Sequence, residues 1–210
     1  MFQKVLILAP HTDDGELGCG GYISKLIEKG KEIYYAAFSI CENSVRSGFP
    51  DNVLEQEVKK ATATLGIPPE NLIIHKFKAR DFPKIRQDIL EILIKFRDNM
   101  KPDLVLMPSY NDLHQDHKTV AEEGLRAFKG TTILAYEIPW NNINFNTISF
   151  VPLEERHIKK KIEALRCYES QKFRGYASEQ FVCSLAKTRG IQIEKPYAEV
   201  FEVVRWIIDY

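Results

Sequence analysis

The sequence predicts an α/β protein with a Rossmann-like, mostly parallel sheet that is flanked by helices. Short apolar runs rich in branched residues alternate with longer segments in which apolar residues recur every three or four positions. Several of the apolar runs also lack polar–apolar alternation, as strands buried on both faces do. The chain shows no internal repeat and no composition boundary, so we expect one domain over residues 1–210.

Each predicted element follows from a local pattern. The strands are runs such as Val-Leu-Ile-Leu-Ala, and in chain order they are residues 5–9, 33–39, 72–74, 103–107, 132–136 and 197–204. The helices carry apolar residues on one face, and in chain order they are residues 23–30, 54–65, 85–96, 117–128, 154–168 and 181–187. Gly30 and Gly66 end the first two helices, and Pro102 ends the third region. Strand–helix alternation of this kind places the strand ends at one edge of a parallel sheet.

Composition narrows the class of function. Lys and Arg together number 29, as do Asp and Glu, so net charge gives no support for a nucleic-acid partner. The sequence has no apolar run of the roughly 18–20 residues that cross a bilayer, which predicts no membrane span and a cytoplasmic location. The four cysteines are far apart, so we expect reduced thiols and no thiolate metal site. The apolar stretch 203–208 could belong to the core or to a homo-oligomer contact.

Two polar clusters follow the first and fourth predicted strands. The first cluster, residues 10–16, contains His11, Asp13 and Asp14, and the second, residues 111–117, contains His114 and His117. Because the carboxyl ends of parallel strands meet at one edge, we expect one divided site there. Catalytic zinc takes three N or O ligands and keeps one position open, and His11, Asp14 and His117 could supply that set. The second cluster also holds two acids that could orient the imidazoles, Asp112 and Asp116.

Simpler interpretations compete with each motif. Either cluster alone could be a helix cap or a turn. The glycines at 18, 20 and 21 lie too far beyond the strand for a dinucleotide-binding turn, and close helix packing explains them better. The run Lys159–Lys161 is typical of a solvated helix face, and His75 and His157 are more simply structural.

The ordered motifs resemble those of the PIG-L/LmbE-like zinc deacetylases, which act on N-acetylglucosamine conjugates. The family's Ala-His-Pro-Asp-Asp-Glu stretch has its counterpart in residues 10–16, and its His-x-x-His in residues 114–117. The similarity extends through Glu57 to Gly66, Tyr136-Glu137, residues 161–171, Arg189-Gly190 and residues 197–201. Two departures are Thr12 in place of proline and Gly15 before Glu16.

The resemblance implies a site and a reaction. It implies that His11, Asp14 and His117 bind Zn²⁺, or another divalent metal such as Fe²⁺, and that Asp13 is the general base. His114, if protonated, would stabilise the oxyanion. Substrate contacts would come from Tyr136, Glu137 and Arg189, with Arg46 replacing a family arginine that is absent at Leu54.

The expected reaction is removal of acetyl from a small N-acetylated amino sugar by metal-activated water. Two alternatives stay open at the level of sequence. One is an amidase on another acyl amine, such as a thiol–sugar conjugate, with the same metal chemistry. The other is a metal-free α/β module that binds a nucleotide or a partner protein.

Overall fold

A seven-stranded sheet forms the centre of the computed structural model, which describes residues 2–208. Its strands are β1 Lys4–His11, β2 Glu32–Ser39, β3 Leu72–Ile74, β4 Leu104–Pro108, β5 Thr132–Tyr136, β6 Ser149–Leu153 and β7 Tyr197–Arg205. The helices are α1 Asp14–Glu28, α2 Val53–Leu65, α3 Arg86–Met100, α4 Gln115–Ala127, α5 Glu155–Leu165 and α6 Glu179–Ile191. The chain is a single domain with a mostly parallel sheet between two layers of helices, as predicted.

The strand order creates a switch point between β1 and β4. The order is β3-β2-β1-β4-β5-β7-β6, and the first five of these strands are parallel. The chain therefore builds outward from β1 in one direction to β3 and then returns to build β4 and β5 on the other side. Ligands in open α/β sheets bind at such a point, beyond the carboxyl ends of the strands. The two polar clusters follow β1 and β4, so they meet there.

Strand β1 shows how the two core layers arise. Val5, Ile7 and Ala9 are buried on the face covered by α1, α2, α5 and α6. Leu6 and Leu8 are buried on the opposite face, against α3 and α4. Alternate side chains of a strand point to opposite faces, so a continuous apolar run serves both layers.

Helix α1 begins at Asp14, earlier than the prediction of a helix around residues 23–30. A Cβ on Gly18 would overlap the ring of Tyr136, so glycine allows α1 to approach β5 closely. The helix is kinked at Cys19, where φ is −146° and ψ is 23°. The glycines thus serve helix packing, as the sequence suggested, but they lie inside the helix rather than before it.

Two further sequence interpretations are corrected by the fold. Strand β6 was not predicted, because Pro152 interrupts a short apolar run; proline is tolerated there because β6 is an edge strand. Lys161 is not on a solvated face: its side chain is buried and its Nζ lies 2.7 Å from Oε1 of Glu199. That ammonium also donates to the carbonyl of Leu17 at 2.7 Å, so it ties α5 to α1 and β7.

His157 is structural: it is buried and its Nδ1 accepts from the backbone N–H of Glu154 at the start of α5. The four cysteines, all within the described chain, are free thiols. Between residues 2 and 208, no helix combines the length and the apolar character that crossing a bilayer requires.

Candidate metal centre

The turn between β1 and α1 brings the side chain of Asp14 back to the end of β1. His11 is the last residue of β1, and Asp14 is the first residue of α1. The backbone N–H of His11 donates to Oδ2 of Asp14 at 2.7 Å, which turns this carboxylate back towards the strand end. The same oxygen lies 3.3 Å from Nδ1 of His11. The local turn alone therefore brings the imidazole of His11 and the carboxylate of Asp14 together.

Each of two imidazoles is oriented by an acid from the loop after β4 and the start of α4. Nδ1 of His117 lies 2.8 Å from Oδ2 of Asp112, and Nε2 of His11 lies 3.1 Å from Oδ2 of Asp116. Carboxylates accept hydrogen bonds from these nitrogens, so the opposite nitrogen of each neutral ring keeps its lone pair. Those free nitrogens, Nδ1 of His11 and Nε2 of His117, face each other at 3.2 Å. Acid–imidazole pairs of this kind are typical of metal-binding histidines.

Three ligand atoms form a nearly equilateral triangle. Nε2 of His117 lies 3.1 Å from Oδ2 of Asp14, and the other two sides, described above, are 3.2 and 3.3 Å. Around an ion with ligand bonds of about 2.0–2.1 Å, tetrahedral geometry separates ligand atoms by about 3.3 Å. The spacing and the donor types fit one divalent cation. We refer to His11, Asp14 and His117 as the metal triad.

The metal triad is also a strongly coupled electrostatic unit. Burial would raise the pKa of Asp14, but His117 and His11 outweigh it and hold that pKa far below its usual value. Burial would lower the pKa of His117, but Asp14 and Asp112 overcome this and raise it to about 10. Without a metal, the imidazole of His117 is therefore doubly protonated and positively charged at neutral pH, and it lies between the carboxylates of Asp14 and Asp112.

His114 completes a cluster of three imidazoles but is held differently. Its ring centroid lies 4.7 Å from that of His11 and 4.9 Å from that of His117, and one nitrogen from each of these rings lies within 4.8 Å of the others. Distance alone would allow all three to ligate one ion. However, Nδ1 of His114 accepts the backbone N–H of Asp116 at 3.2 Å, so the neutral ring carries its hydrogen on Nε2. A nitrogen with a hydrogen is a donor and not a ligand, which favours Asp14 as the third ligand.

The charge state of His114 differs from the protonated form considered in the sequence analysis. Burial lowers its pKa to about 4, and the neighbouring imidazoles of His11 and His117 act in the same direction. A positive ion at the metal triad would lower it further. His114 is therefore a neutral hydrogen-bond donor at physiological pH.

Asp13 lies beside the metal triad without belonging to it. It is the N-cap residue of α1, yet its side chain makes no capping hydrogen bond. Burial and the neighbouring Asp14 raise its pKa to about 6. A carboxylate with this pKa can take and return a proton near neutral pH.

A buried network beneath the turn fixes the backbone between His11 and Asp13. The hydroxyls of Tyr35 and Tyr168 lie 2.9 and 2.7 Å from the carbonyl oxygen of Thr12, and both also contact Glu16. Burial raises the pKa of Glu16 to about 8, so this carboxyl is mostly neutral at pH 7. A Cβ on Gly15 would lie 2.5 Å from Tyr35, so the inserted glycine is what admits this tyrosine.

The metal triad opens into a cavity of about 290 Å³, near the lower limit of typical small-molecule sites. Asp13 and His114 line it together with residues from several loops. The cavity-lining residues that the sequence analysis did not select as site residues include Arg80, Trp140, Asn141, Gln171, Arg174 and Tyr176. They come from segments without motif spacing, so only the folded chain brings them together.

Comparison with known proteins identifies the family. Residues 6–128, more than half of the chain, match the PIG-L family, described as GlcNAc-PI de-N-acetylase. The chain belongs to the PIG-L family. Both polar clusters lie within the matched region.

Two curated relatives support an enzymatic assignment within the PIG-L family. An uncharacterised deacetylase of Escherichia coli, YaiS, is 28% identical over 174 residues, which is 80% of this chain and 91% of the relative. The diacetylchitobiose deacetylase of Thermococcus kodakarensis is 29% identical over 135 residues, 60% of this chain but only 49% of that protein. The chain thus spans about half the length of the second relative. The protein is a hydrolytic N-deacetylase.

A structural relative shows that the PIG-L fold alone does not set the reaction. The 4-carboxy-2-hydroxymuconate hydratase GalB of Pseudomonas putida has a TM-score of 0.81 and 19% identity, covering 99% of this chain and 98% of its own. The fold is therefore shared with a hydratase. Assigning a reaction depends on the residues at the strand ends.

Three residues that the resemblance to the PIG-L family placed near substrate do not line the cavity at the metal triad. Tyr136 is fully buried and its hydroxyl donates to the carbonyl of Leu8 at 2.8 Å, so it packs the core behind the site. Glu137 and Arg189 pair with each other, with Nε of Arg189 3.1 Å from Oε2 of Glu137. They line a small cavity beside α6 that shares Leu17, Trp140 and Tyr176 with the cavity at the metal triad. A bidentate ion pair satisfies both groups, which explains why neither turns towards the metal triad.

Arg46 also lies outside the cavity lining. Its guanidinium stacks 4.3 Å from the ring centroid of Phe173, on an exposed part of the loop after β2. Nothing in the sequence indicated this aromatic partner, because Phe173 is more than a hundred residues away along the chain. Arg174, from the segment after α5, faces the cavity instead.

Proposed function

We propose that this protein is a zinc-dependent hydrolase that removes acetyl from an N-acetylated amino sugar or sugar conjugate of the N-acetylglucosamine type. The observation that carries the proposal is the metal triad, whose ligand atoms are spaced for one divalent ion beside a free carboxylate. Two relatives, a deacetylase and a diacetylchitobiose deacetylase, favour amide hydrolysis on a sugar.

The metal triad would hold the ion, with Asp112 and Asp116 fixing the two imidazoles. Zinc is preferred for a set of two imidazoles and one carboxylate, although such a set also accepts Fe²⁺ and related ions. When bound, the ion supplies Lewis-acid chemistry that activates water and polarises an amide carbonyl.

Asp13 would move the protons. Its carboxylate faces the cavity beside Asp14 and makes no capping bond, so it is available to accept a proton from the attacking water. It would then deliver that proton to the departing amine. The return matters because an amide nitrogen is a very poor leaving group until it is protonated.

His114 would stabilise the developing oxyanion. Its Nδ1 is engaged by the N–H of Asp116, so its Nε2–H is the donor available to the substrate. A neutral, pre-oriented donor costs no reorganisation when charge develops on the carbonyl oxygen.

The test is acetate release from N-acetylglucosamine and from N,N′-diacetylchitobiose by purified protein. Activity should fall to background after chelation, with metal removal verified by elemental analysis, and should return when zinc is added. Full activity in verified metal-free protein would contradict the proposal. A different acyl amine as the preferred substrate would keep the metal chemistry and correct the substrate.

A further inference from the structure

The small cavity beside α6 adjoins the larger cavity at the metal triad. Its volume is about 20 Å³, and Leu17, Trp140 and Tyr176 line both cavities, so the two are neighbours. A cavity needs about 10–15 Å³ to hold one water molecule. The small cavity therefore has room for one group of about that size, such as a methyl, and not for a sugar ring.

Leu17 places the small cavity close to the metal triad. It follows Asp13 and Asp14 by four and three positions, and its backbone N–H donates to the carbonyl oxygen of Asp13 at 3.0 Å. Side chains at this spacing lie on the same face of a helix. The small cavity therefore begins about one helical turn from the two carboxylates at the start of α1.

An aromatic stack forms another part of the boundary between the two cavities. The rings of Trp140 and Tyr176 are nearly parallel, with their centroids 3.9 Å apart and an angle of 9° between their planes. The ring of Phe181, in α6, contacts Trp140 edge-on with the centroids 5.9 Å apart. The hydroxyl of Tyr176 accepts from Nη1 of Arg174. Side chains that are held in place therefore set the size of the small cavity.

The charged groups that line the small cavity neutralise one another. Arg189 pairs with Glu137, and Nζ of Lys161 lies 2.7 Å from Oε1 of Glu199. These two cations and two anions are its charged lining residues, and its other lining side chains are aliphatic or aromatic. A buried water molecule needs several polar partners, whereas a methyl needs none. The small cavity therefore favours an apolar occupant.

The two cavities match the two sides of an N-acetyl group. With the amide carbonyl at the metal triad, the nitrogen side carries the sugar and the acyl side carries one methyl. The larger cavity, of about 290 Å³, is the one of the two that has room for a sugar ring. The small cavity is then left for the methyl.

We propose that the small cavity receives the methyl of the acetyl group while the sugar occupies the larger cavity, so that its size selects acetyl over longer acyl groups. The inference rests on the proposed deacetylase function and names the side chains that decide which acyl group is removed. One additional methylene in an apolar pocket changes kcat/KM by about 10–200-fold, which is enough to restrict an enzyme to one acyl length.

The first test is a series of acyl groups on one amine. Zinc-loaded protein is given the N-formyl, N-acetyl, N-propionyl and N-butyryl derivatives of glucosamine, or of chitobiose where that is the better substrate. Release of the amine, the product common to the series, is measured. We expect kcat/KM to fall about tenfold or more from acetyl to propionyl and to stay low for butyryl. Equal values for acetyl, propionyl and butyryl would overturn the inference.

Two variants of α6 change the size of the small cavity in opposite directions. Val182 and Ala186 lie on one face of the helix and line the small cavity but not the larger one. Val182→Ala enlarges the small cavity and should raise the propionyl-to-acetyl ratio of kcat/KM about tenfold. Ala186→Val fills it and should lower the acetyl-to-formyl ratio about tenfold, because a formyl group has no methyl to place.

The matched control is Val58→Ala, which removes the same atoms from a fully buried position in α2 that lines neither cavity. Each ratio compares two substrates of one protein, so losses of folded or metal-loaded protein cancel. The control should keep the wild-type ratios. Unchanged ratios in the α6 variants, or equal changes in the control, would overturn the inference.

The same assay separates this inference from the proposed function. Amine release that does not depend on acyl length would overturn the role of the small cavity and leave the deacetylase intact. No release from any member of the series, with bound zinc verified by elemental analysis, would overturn the proposed function and the inference with it.

Discussion

Oδ2 of Asp14 lies 3.1 Å from Nε2 of His117, although these residues belong to different helices and follow different strands. The adjacent carboxylate, Asp13, points into the same cavity but makes no such contact. Asp13 and Asp14 thus have different hydrogen-bond partners although they are adjacent in one turn, and we expect them to have different roles.

Asp13→Asn and Asp14→Asn form a matched pair of isosteric changes. Asp14→Asn should lose bound metal, because the amide removes the negative ligand. Asp13→Asn should keep metal but lose about 10²–10⁴-fold in kcat, the usual loss on removing a general base. Elemental analysis and steady-state rates distinguish the two. Equal metal loss in both variants would mean that Asp13 is a ligand.

His114→Ala should retain metal and lose about 10²–10³-fold in kcat, as removal of one oxyanion donor does. The reason is that its Nε2–H donates rather than ligates. His75→Ala is a control, because that imidazole stacks on Phe38 and lies outside the cavity lining. Loss of stoichiometric metal in the His114 variant would place this imidazole among the ligands.

Asp112→Asn should weaken metal affinity about 10–100-fold while every direct ligand remains. The change removes the carboxylate that lies 2.8 Å from Nδ1 of His117 and fixes which nitrogen faces the ion. A competition titration against a chromogenic chelator measures the loss. Asp98→Asn, on the surface of α3, is the control, and an equal affinity in all three proteins would refute the role of Asp112.

Metal affinity should rise with pH in the neutral range. In the metal-free protein Asp14 and Asp112 raise the pKa of His117 to about 10, so binding must displace a proton from Nε2. Below pH 10 each decrease in pH therefore weakens apparent binding. Calorimetry in buffers of different ionisation enthalpy measures the protons released, and zero release at pH 7 would contradict this prediction.

Glu16 should make the fold less stable as pH rises. Burial raises its folded pKa to about 8, above the ordinary 4.5, so the folded state binds the extra proton between these values. The free energy of unfolding then falls between pH 4.5 and 8, by up to about 5 kcal/mol from this group. Glu16→Gln should remove that slope. Thermal melting of both proteins at pH 5 and pH 8 tests it, and parallel pH dependences would contradict it.

The sequence indicated which residues meet at the strand ends, but not which other residues line the cavity. Each half of the metal triad follows an apolar run directly, so local order and parallel topology suffice to bring His11 and His117 together. Arg80 and Arg174 carry no such signal, because contacts in the folded chain hold them in place. The backbone N–H of Arg80 donates to Asp116, and the guanidinium of Arg174 donates to Gln171. Lys161 was misassigned for the same reason, since its partner Glu199 is distant in sequence.

The switch point between β1 and β4 couples metal binding to the folding of the chain. The two halves of the metal triad are about a hundred positions apart in the chain and become neighbours only through the pairing of these two strands. The metal triad is not assembled in an unfolded chain, so only the folded chain binds the ion tightly. Metal binding therefore stabilises the folded chain by mass action. The supply of the ion that the metal triad binds would therefore affect how long each molecule stays folded, in addition to whether it is active.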